Sequence, residues 1–523
     1  MGLQIVARAN QEGLHLLPKQ LFKHQTIAEL AAAAGSAQMV VTEQGLVTGD
    51  VPLTPIQHWF FDEQRVEPHH FNQAVLFEVE ERADYALLKR AVEHLFEHHD
   101  ALRLRFVPCE TGWRQLNAGL EGAVPFTLVD LSKLSDAEQR EGVESAAARI
   151  QGSLHLTEGP LARVALFEMG QGKPARLLIV VHHLAVDGIS WRILLEDLQT
   201  AYGQLSRGEA LRLPRKTTSY KQWAERLEEY AVSDSLSKEA PYWLDERRRQ
   251  VGKLPLDHLT GENTVGSVRK VFASLDEQET RALLQEVPAA YRTQINDALL
   301  AALAQTFARW SGERRLLLNV EGHGREEVAA GVDLSRTVGW FTTIFPVLLE
   351  LGEALDAGEA LKLVKEQLRE IPHNGIGYGL LRYLRRDETG AKLCELPPAE
   401  VLFNYLGQLD SVLTGSTLLR AAQESSGPAQ SEKERRRHVL EIDLSVGDGR
   451  LRMTCRYSEH LHRRTTIEWL AAEYMDALRE LIRHCRSPES GGFTPTDFPE
   501  AKLNQKELDK FLSKFKQVGG RSR

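Results

Sequence analysis

The apolar run Leu177-Leu178-Ile179-Val180-Val181 passes directly into His182-His183-Leu184-Ala185-Val186-Asp187-Gly188, and no other stretch constrains the fold as tightly. Five consecutive aliphatic residues without polar alternation suit a buried strand. Asp187-Gly188 is a turn pair. Ser190 then stands where it can cap a helix in which Leu194, Leu198, Ala201 and Leu205 share one face. A strand therefore hands over to a helix through a loop carrying two imidazoles and a carboxylate. Side chains alternate along a strand, so His182 and His183 face opposite ways, one toward a cleft and one into packing. Imidazole titrates near neutral pH, which makes a cleft-facing histidine a natural general base. The plainer alternative, a packed histidine pair beside a turn aspartate, is preferred for His69-His70 and His98-His99.

The same grammar recurs along the chain. Phe71 to Val79 reads as a strand and Tyr85 to His98 as an amphipathic helix. After a charged, helix-favouring bridge over residues 223–249, a second half repeats the style, with a helix over 293–310 and strands over 316–320 and 401–405. The expectation is two α/β lobes, residues 52–230 and 231–490, with an exposed polar loop over 421–437. Residues 1–35 read as a small helical piece: Leu3, Val6 and Ala9 share a face, Pro18 can open a helix, and Thr26 with Glu29 forms a capping box. A linker follows over 36–51. In the tail, residues 491–523, Asn504 and Glu507 repeat the capping box ahead of an apolar stripe, Leu508, Phe511, Leu512 and Phe515. Residues 519–523 read as a cut point or cloning scar.

Composition excludes several classes. With 42% hydrophobic and 26% charged residues in 523, the chain is of the soluble globular type and long enough for more than one unit. A net charge of −9 argues against nucleic-acid binding. No apolar run approaches the roughly 18 residues of a membrane span, and the N-terminus lacks an apolar secretion signal, so a cytoplasmic location is expected. The four cysteines are scattered with no CxxC pair, which points to free thiols and no metal site.

A second chemical feature lies in the second half. Leu316-Leu317-Leu318-Asn319-Val320 leads into Glu321-Gly322-His323-Gly324-Arg325-Glu326. A carboxylate at a strand end, flanked by two glycines, makes a close-approach site with an imidazole and a guanidinium at hand; a glycine-rich turn with surface charges is the plainer alternative.

Together these residues resemble a known family. His182-His183 with Asp187-Gly188 matches the HHxxxDG motif of the condensation-domain superfamily, which has the chloramphenicol acetyltransferase fold and acts on carrier-bound substrates. Leu53-Thr54-Pro55-Ile56-Gln57 and His99-Asp100-Ala101-Leu102-Arg103 support the match. Glu321 to Glu326 looks like the EGHGRE motif of epimerization domains of nonribosomal peptide synthetases. Arg336-Thr337-Val338-Gly339-Trp340-Phe341-Thr342 and Phe403-Asn404-Tyr405-Leu406-Gly407-Gln408 resemble two further epimerization-type motifs, and the likeness spans about residues 52–488.

The resemblance implies two acetyltransferase-like lobes in a V-shaped pseudo-dimer. It also implies inversion of the α-carbon of an aminoacyl or peptidyl thioester held on phosphopantetheine, with no intrinsic cofactor. His183 and Glu321 would be the acid/base groups and Asp187 would hold the loop. His182, Arg325, Asn404 and Tyr405 are further site residues, with Arg325 a candidate for fixing Glu321 or an enolate oxygen. A regular strand would send Asn404 and Tyr405 to opposite faces unless a bulge intervenes. Residues 2–35 resemble the last helices of a peptidyl carrier domain, so a loaded carrier is the implied partner, and the tail is a possible contact to a downstream condensation domain. The competing readings are condensation, a non-catalytic recruitment module, and a small-molecule acyltransferase of the same fold.

Overall fold

The computed structural model describes residues 42–519, apart from 80–83, 111, 121–123, 327, 329–330, 355, 409–417 and 489. Of residues 1–41 it describes 26–34 and a few isolated positions, and side chains are described only as far as 512. The strands in chain order are β1 (Gly49–Val51), β2 (Asn72–Val79), β3 (Leu104–Cys109), β4 (Gly112–Asn117), β5 (Phe126–Asp130), β6 (Ala162–Glu168), β7 (Ala175–His182), β8 (Val268–Ser274), β9 (Arg315–Gly322), β10 (Thr343–Glu350), β11 (Val401–Gln408), β12 (Leu419–Ala421), β13 (Leu440–Gly447) and β14 (Arg450–Ser458).

The first lobe is built on a five-stranded sheet of order β12-β2-β7-β6-β5. Helices cover both of its faces, which is why β7 is apolar without alternation. Leu177, Ile179 and Val181 meet the helices Tyr85–His98 and Gly188–Ser206, whereas Leu178 and Val180 meet the helix Asp136–Gln151. The first of these helices shows how sequence sets the packing. Asp84 accepts hydrogen bonds from the amides of Ala86 and Leu87, at 2.7 and 3.1 Å, and so satisfies two otherwise unpaired donors. Leu88, Ala91, Val92, Leu95 and Phe96 then line one buried stripe. Burying each large apolar side chain there contributes about 1.5–3 kcal/mol.

The second lobe carries a six-stranded sheet of order β10-β9-β11-β13-β14-β8. One face packs against the helices Ile295–Ser311 and Arg464–Cys485, and the burial of β13 alternates accordingly, Leu440, Ile442 and Leu444 pointing into the helical layer. The opposite face carries Asn319, Glu321, Asn404, Glu441 and Asp443. This polar face receives the site. Buried residues of both lobes join in one continuous hydrophobic cluster.

Two local expectations need correction. Asp187, not Ser190, caps the helix Gly188–Ser206: its Oδ1 accepts from the Ser190 amide at 2.7 Å, and the Ser190 hydroxyl is turned to the Gly339 backbone. Residues 421–437 are a largely exposed loop, as expected, but not a free one. The chain crosses to the first lobe, where β12 pairs antiparallel with β2, the Asn72 amide donates to the Ala429 carbonyl at 2.8 Å, and Arg176 pairs with Glu424 at 2.9 Å. Most of the segment stays exposed or half-exposed, and what no local window reveals is that some of its groups also pair across the lobes.

At the N-terminus the Thr26–Glu29 capping box is present ahead of the helix Ile27–Ala33. Leu3 and Pro18 lie outside the described residues. In the tail, Asn504 and Glu507 exchange hydrogen bonds at 3.0 Å. Leu508 is buried, Phe511 is exposed, and the Phe515 side chain lies outside the described residues. No helix among the described residues is long and apolar enough to cross a membrane.

Candidate active site

His183 stands where β7 gives way to a short 3-10 turn, His183–Ala185. Its Nδ1 lies 2.8 Å from the Val186 carbonyl oxygen, which can only accept, so Nδ1 carries the proton and Nε2 keeps its lone pair. The Gln73 side-chain amide donates to that Nε2 at 2.9 Å, and Gln73 is itself oriented by the Trp191 indole N–H at 2.7 Å. The ring stacks on Phe71, with centroids 5.3 Å apart, and packs against Trp340 at 4.4 Å. Burial holds the imidazole below its ordinary pKa, outweighing the pull of Asp187 toward the charged form. His183 is therefore neutral at pH 7, with its basic nitrogen held in place.

His182 does not reach the same space. It is fully buried, with Nε2 donating to the Pro68 carbonyl at 2.9 Å and Nδ1 accepting from the Leu184 amide at 3.2 Å. Burial drives its pKa down to about 3. Fully buried and bonded at both nitrogens to backbone, the ring braces the turn, whereas His183 is only partly buried and shares its Nε2 with a side chain.

Asp187 and Arg325 join the lobes. The guanidinium lies 3.2 Å from the Asp187 carboxylate, donates to the carbonyls of Leu334 and Thr337 at 2.7 Å each, and sits over the Phe341 ring at 3.9 Å. Asp187 also accepts from the Phe341 amide at 3.2 Å. Arg325 is thus held by the first lobe's carboxylate, not by Glu321 or a free oxyanion position. The glycines of this motif serve close approach. Gly324 has φ +66°, and a Cβ there would stand 1.7 Å from the Phe341 carbonyl oxygen; one at Gly339 would meet the Tyr220 ring at 2.3 Å. His323 is half exposed and accepts from the Arg325 amide at 3.0 Å, and Glu326 accepts from Asn374 at 3.0 Å.

Glu321 lies near the C-terminal end of β9, on the polar face of the sheet. The Asn404 amide donates to its Oε2 at 2.6 Å. The register explains the contact: Phe403 is level with Val320 on the helical face, so Asn404 falls on the Glu321 face. Tyr405 belongs with Phe403 on the other side, packed against the core. The strand does break register, but after Tyr405, too late to turn that side chain toward Glu321. Of the two, Asn404 alone meets Glu321. Burial raises the Glu321 carboxyl to a pKa of about 8; the carboxylates of Asp443 and Glu441 push the same way, against Arg456 and the Asn404 hydrogen bond. A neutral imidazole and a carboxyl protonated at pH 7 thus come from different lobes.

Several participants carry weak local signals. Gln73 is a polar residue in an apolar strand, and Trp340 lies inside a recognised motif, yet nothing nearby in sequence links either to His183. Trp340 Nε1 is buried without a partner. Among the described residues one group has the spacing of a cation site, His98, His99 and Asp197. Both Asp197 oxygens are already engaged, by His99 at 3.0 Å and by Arg336 at 2.5 Å, which makes the group a structural bridge between lobes.

Comparison with known proteins agrees with this geometry. The family model of the condensation domain matches residues 47–504. The chain is 49% identical to one of the linear gramicidin synthase proteins of Brevibacillus parabrevis over 99% of its length, and 46% identical to chondramide synthase of Chondromyces crocatus over 98%. It spans only 7% and 13% of those proteins. Among solved structures, the epimerization domain from the third module of tyrocidine synthetase B superposes with a TM-score of 0.79 at 37% identity, over 85% of this chain and 98% of that one. The X-domain from teicoplanin biosynthesis, at 21% identity and a TM-score of 0.66 over 85% of this chain and 98% of its own, shares the fold. With its two acetyltransferase-like lobes and a family match over most of its length, the chain belongs to the condensation-domain family and is structurally similar to an epimerization domain.

Proposed function

We propose that the chain epimerizes the α-carbon of an aminoacyl or peptidyl thioester carried on the phosphopantetheine of a carrier domain during nonribosomal peptide synthesis. The observation that carries this reading is a pair of acid/base groups brought from the two lobes: His183, whose Nδ1 faces the Val186 carbonyl and leaves Nε2 unprotonated, and Glu321, held by Asn404 and pushed by burial toward its protonated form. Inversion needs a base to remove the α-proton and an acid to return one. Each such group typically contributes about 10²–10⁴ in rate. The thioester carbonyl takes up the charge as an enolate, so the reaction draws on no intrinsic cofactor. Arg325 is committed to Asp187 and is not the enolate's donor. Amide formation by condensation has no use for a second group of this kind. The likeness to the tyrocidine synthetase B epimerization domain points the same way. The partner is a loaded carrier domain, and residues 1–35 are read as the end of a carrier domain.

The test is incubation with an L-aminoacyl or L-peptidyl carrier in deuterated water, following chirality and α-deuterium together. An L/D mixture with deuterium uptake, lost in both His183→Ala and Glu321→Gln, is expected. Loss in one variant alone would reduce the mechanism to a single base. A product of unchanged chirality but greater length would replace epimerization by condensation.

A further inference from the structure

Arg65 is a buried cation of the first lobe, between the helix Pro55–Asp62 and β2, with a side chain only 7% exposed. Gln64 turns the chain through the left-handed region, φ +44°, which residues other than glycine seldom adopt. Beyond that turn the guanidinium lies among aromatic rings. Its central carbon is 4.2 Å from the centre of the Phe71 ring, 4.6 Å from that of Phe60 and 5.9 Å from that of Trp59. Nε has no hydrogen-bond partner, and aromatic faces are the surroundings that a guanidinium best tolerates without one. Opposite charge comes from Glu63, at 2.5 Å, and from Glu434 of the segment that crosses from the second lobe.

Phe71 is the shared member. The same ring stacks on the His183 imidazole, with centroids 5.3 Å apart and planes 13° from parallel. The backbone reinforces the contact, since the His183 amide donates to the Phe71 carbonyl at 2.8 Å. An imidazole packed between Phe71 and Trp340 keeps its plane only if those rings keep theirs, and Phe71 is held by Arg65 and by Phe60, whose ring lies 5.2 Å away. The Arg65 charge also reaches His183: it opposes protonation of the imidazole, as burial does, whereas Asp187 favours it. His182, the adjacent titratable group, is neutral at pH 7.

We propose that Arg65 is a positioning residue for His183, fixing through Phe71 the plane in which Nε2 meets the substrate. This deepens the epimerization reading and rests on it. Arg65 holds no reacting atom, and it acts on the base alone: the charges that bear on Glu321 come from the second lobe.

The full chain is compared with Arg65→Met, Arg65→Lys, Phe71→Leu and the double variant Arg65→Met/Phe71→Leu, by α-deuterium exchange of an L-aminoacyl or L-peptidyl carrier. Each single change is expected to lower kcat about tenfold with KM within about twofold. Because Arg65 acts through Phe71, the double variant should lose little more than either single one. Removing the positive charge favours the imidazolium, so Arg65→Met should move the acid limb of kcat/KM to higher pH and leave the alkaline limb in place. Arg65→Lys keeps the charge but not the planar face, and should lose rate without moving the limb. NMR titration of the His183 ring without substrate should show the same contrast, whether or not the chain epimerizes. Parent-level kcat in Arg65→Lys, multiplicative losses in the double variant, or an unmoved His183 titration in folded Arg65→Met would each overturn the proposal with epimerization intact. Absence of exchange in the parent chain would instead remove the epimerization reading, and the titration would still decide whether Arg65 acts on His183.

Discussion

His183 and Glu321 owe their protonation states to burial more than to any partner, and pH dependence follows from that. The proposed mechanism uses His183 neutral and Glu321 protonated. The rate should rise with pH through the His183 pKa, below its ordinary 6.5, and fall again near pH 8 as Glu321 ionises. The Asn404 hydrogen bond favours the carboxylate, so Asn404→Ala should move the alkaline limb of kcat/KM above pH 8. An unchanged limb would remove Asn404 from the site. Stability is linked to the same group. The folded pKa of Glu321 lies above its unfolded value, so its contribution is full below about pH 4.5 and is lost as pH rises through about 8. Urea titrations should show Glu321→Gln flattening that decline.

At the scale of the element, the polar face of the second sheet acts on Glu321 through register. β13 sets Asp443 level with Asn404, and Asp443 and Glu441 both oppose ionisation of Glu321. Asp443→Asn removes one of these charges and frees Arg456, its ion-pair partner, from that pairing. Both changes favour the carboxylate, so the alkaline limb should move to lower pH, opposite in direction to Asn404→Ala. A shift the same way in both variants would contradict this assignment. On the other lobe, Gln73 holds no reacting group yet orients the His183 ring. Gln73→Leu is expected to lower kcat about tenfold with little change in KM, measured by α-deuterium exchange.

For the whole molecule, the lobes are bound by buried ion pairs as well as by a shared core. Arg325 reaches Asp187, and Arg336 reaches Asp197, both pairs almost wholly buried. Removing one partner leaves an uncompensated charge, so Arg325→Met or Arg336→Met should cost about 3–5 kcal/mol by denaturant unfolding. Because one hydrophobic cluster spans both lobes, calorimetry should show a single unfolding transition in the parent chain. Arg336→Met combined with truncation of the Arg176–Glu424 pair should broaden or split it.

The sequence by itself determined the buried strand ahead of His182-His183, the amphipathic helix at Tyr85–His98, the capping box ahead of the tail helix Gln505–Gly519, and the motifs that identify the family. Those signals are local: apolar runs, capping residues and spacing are decided by neighbours a few positions away. The cap on the helix after Gly188 was misread because Asp187 and Ser190 are both good caps, and only the placement of Gly339 and Arg325 decides between them. Tertiary structure alone decided that residues 421–437 cross to the other lobe, that Arg325 serves Asp187, and that Asn404 and not Tyr405 meets Glu321. It alone set the protonation of Glu321. Each of these depends on register or desolvation between segments more than eighty residues apart, and neither quantity is written in any short stretch of chain.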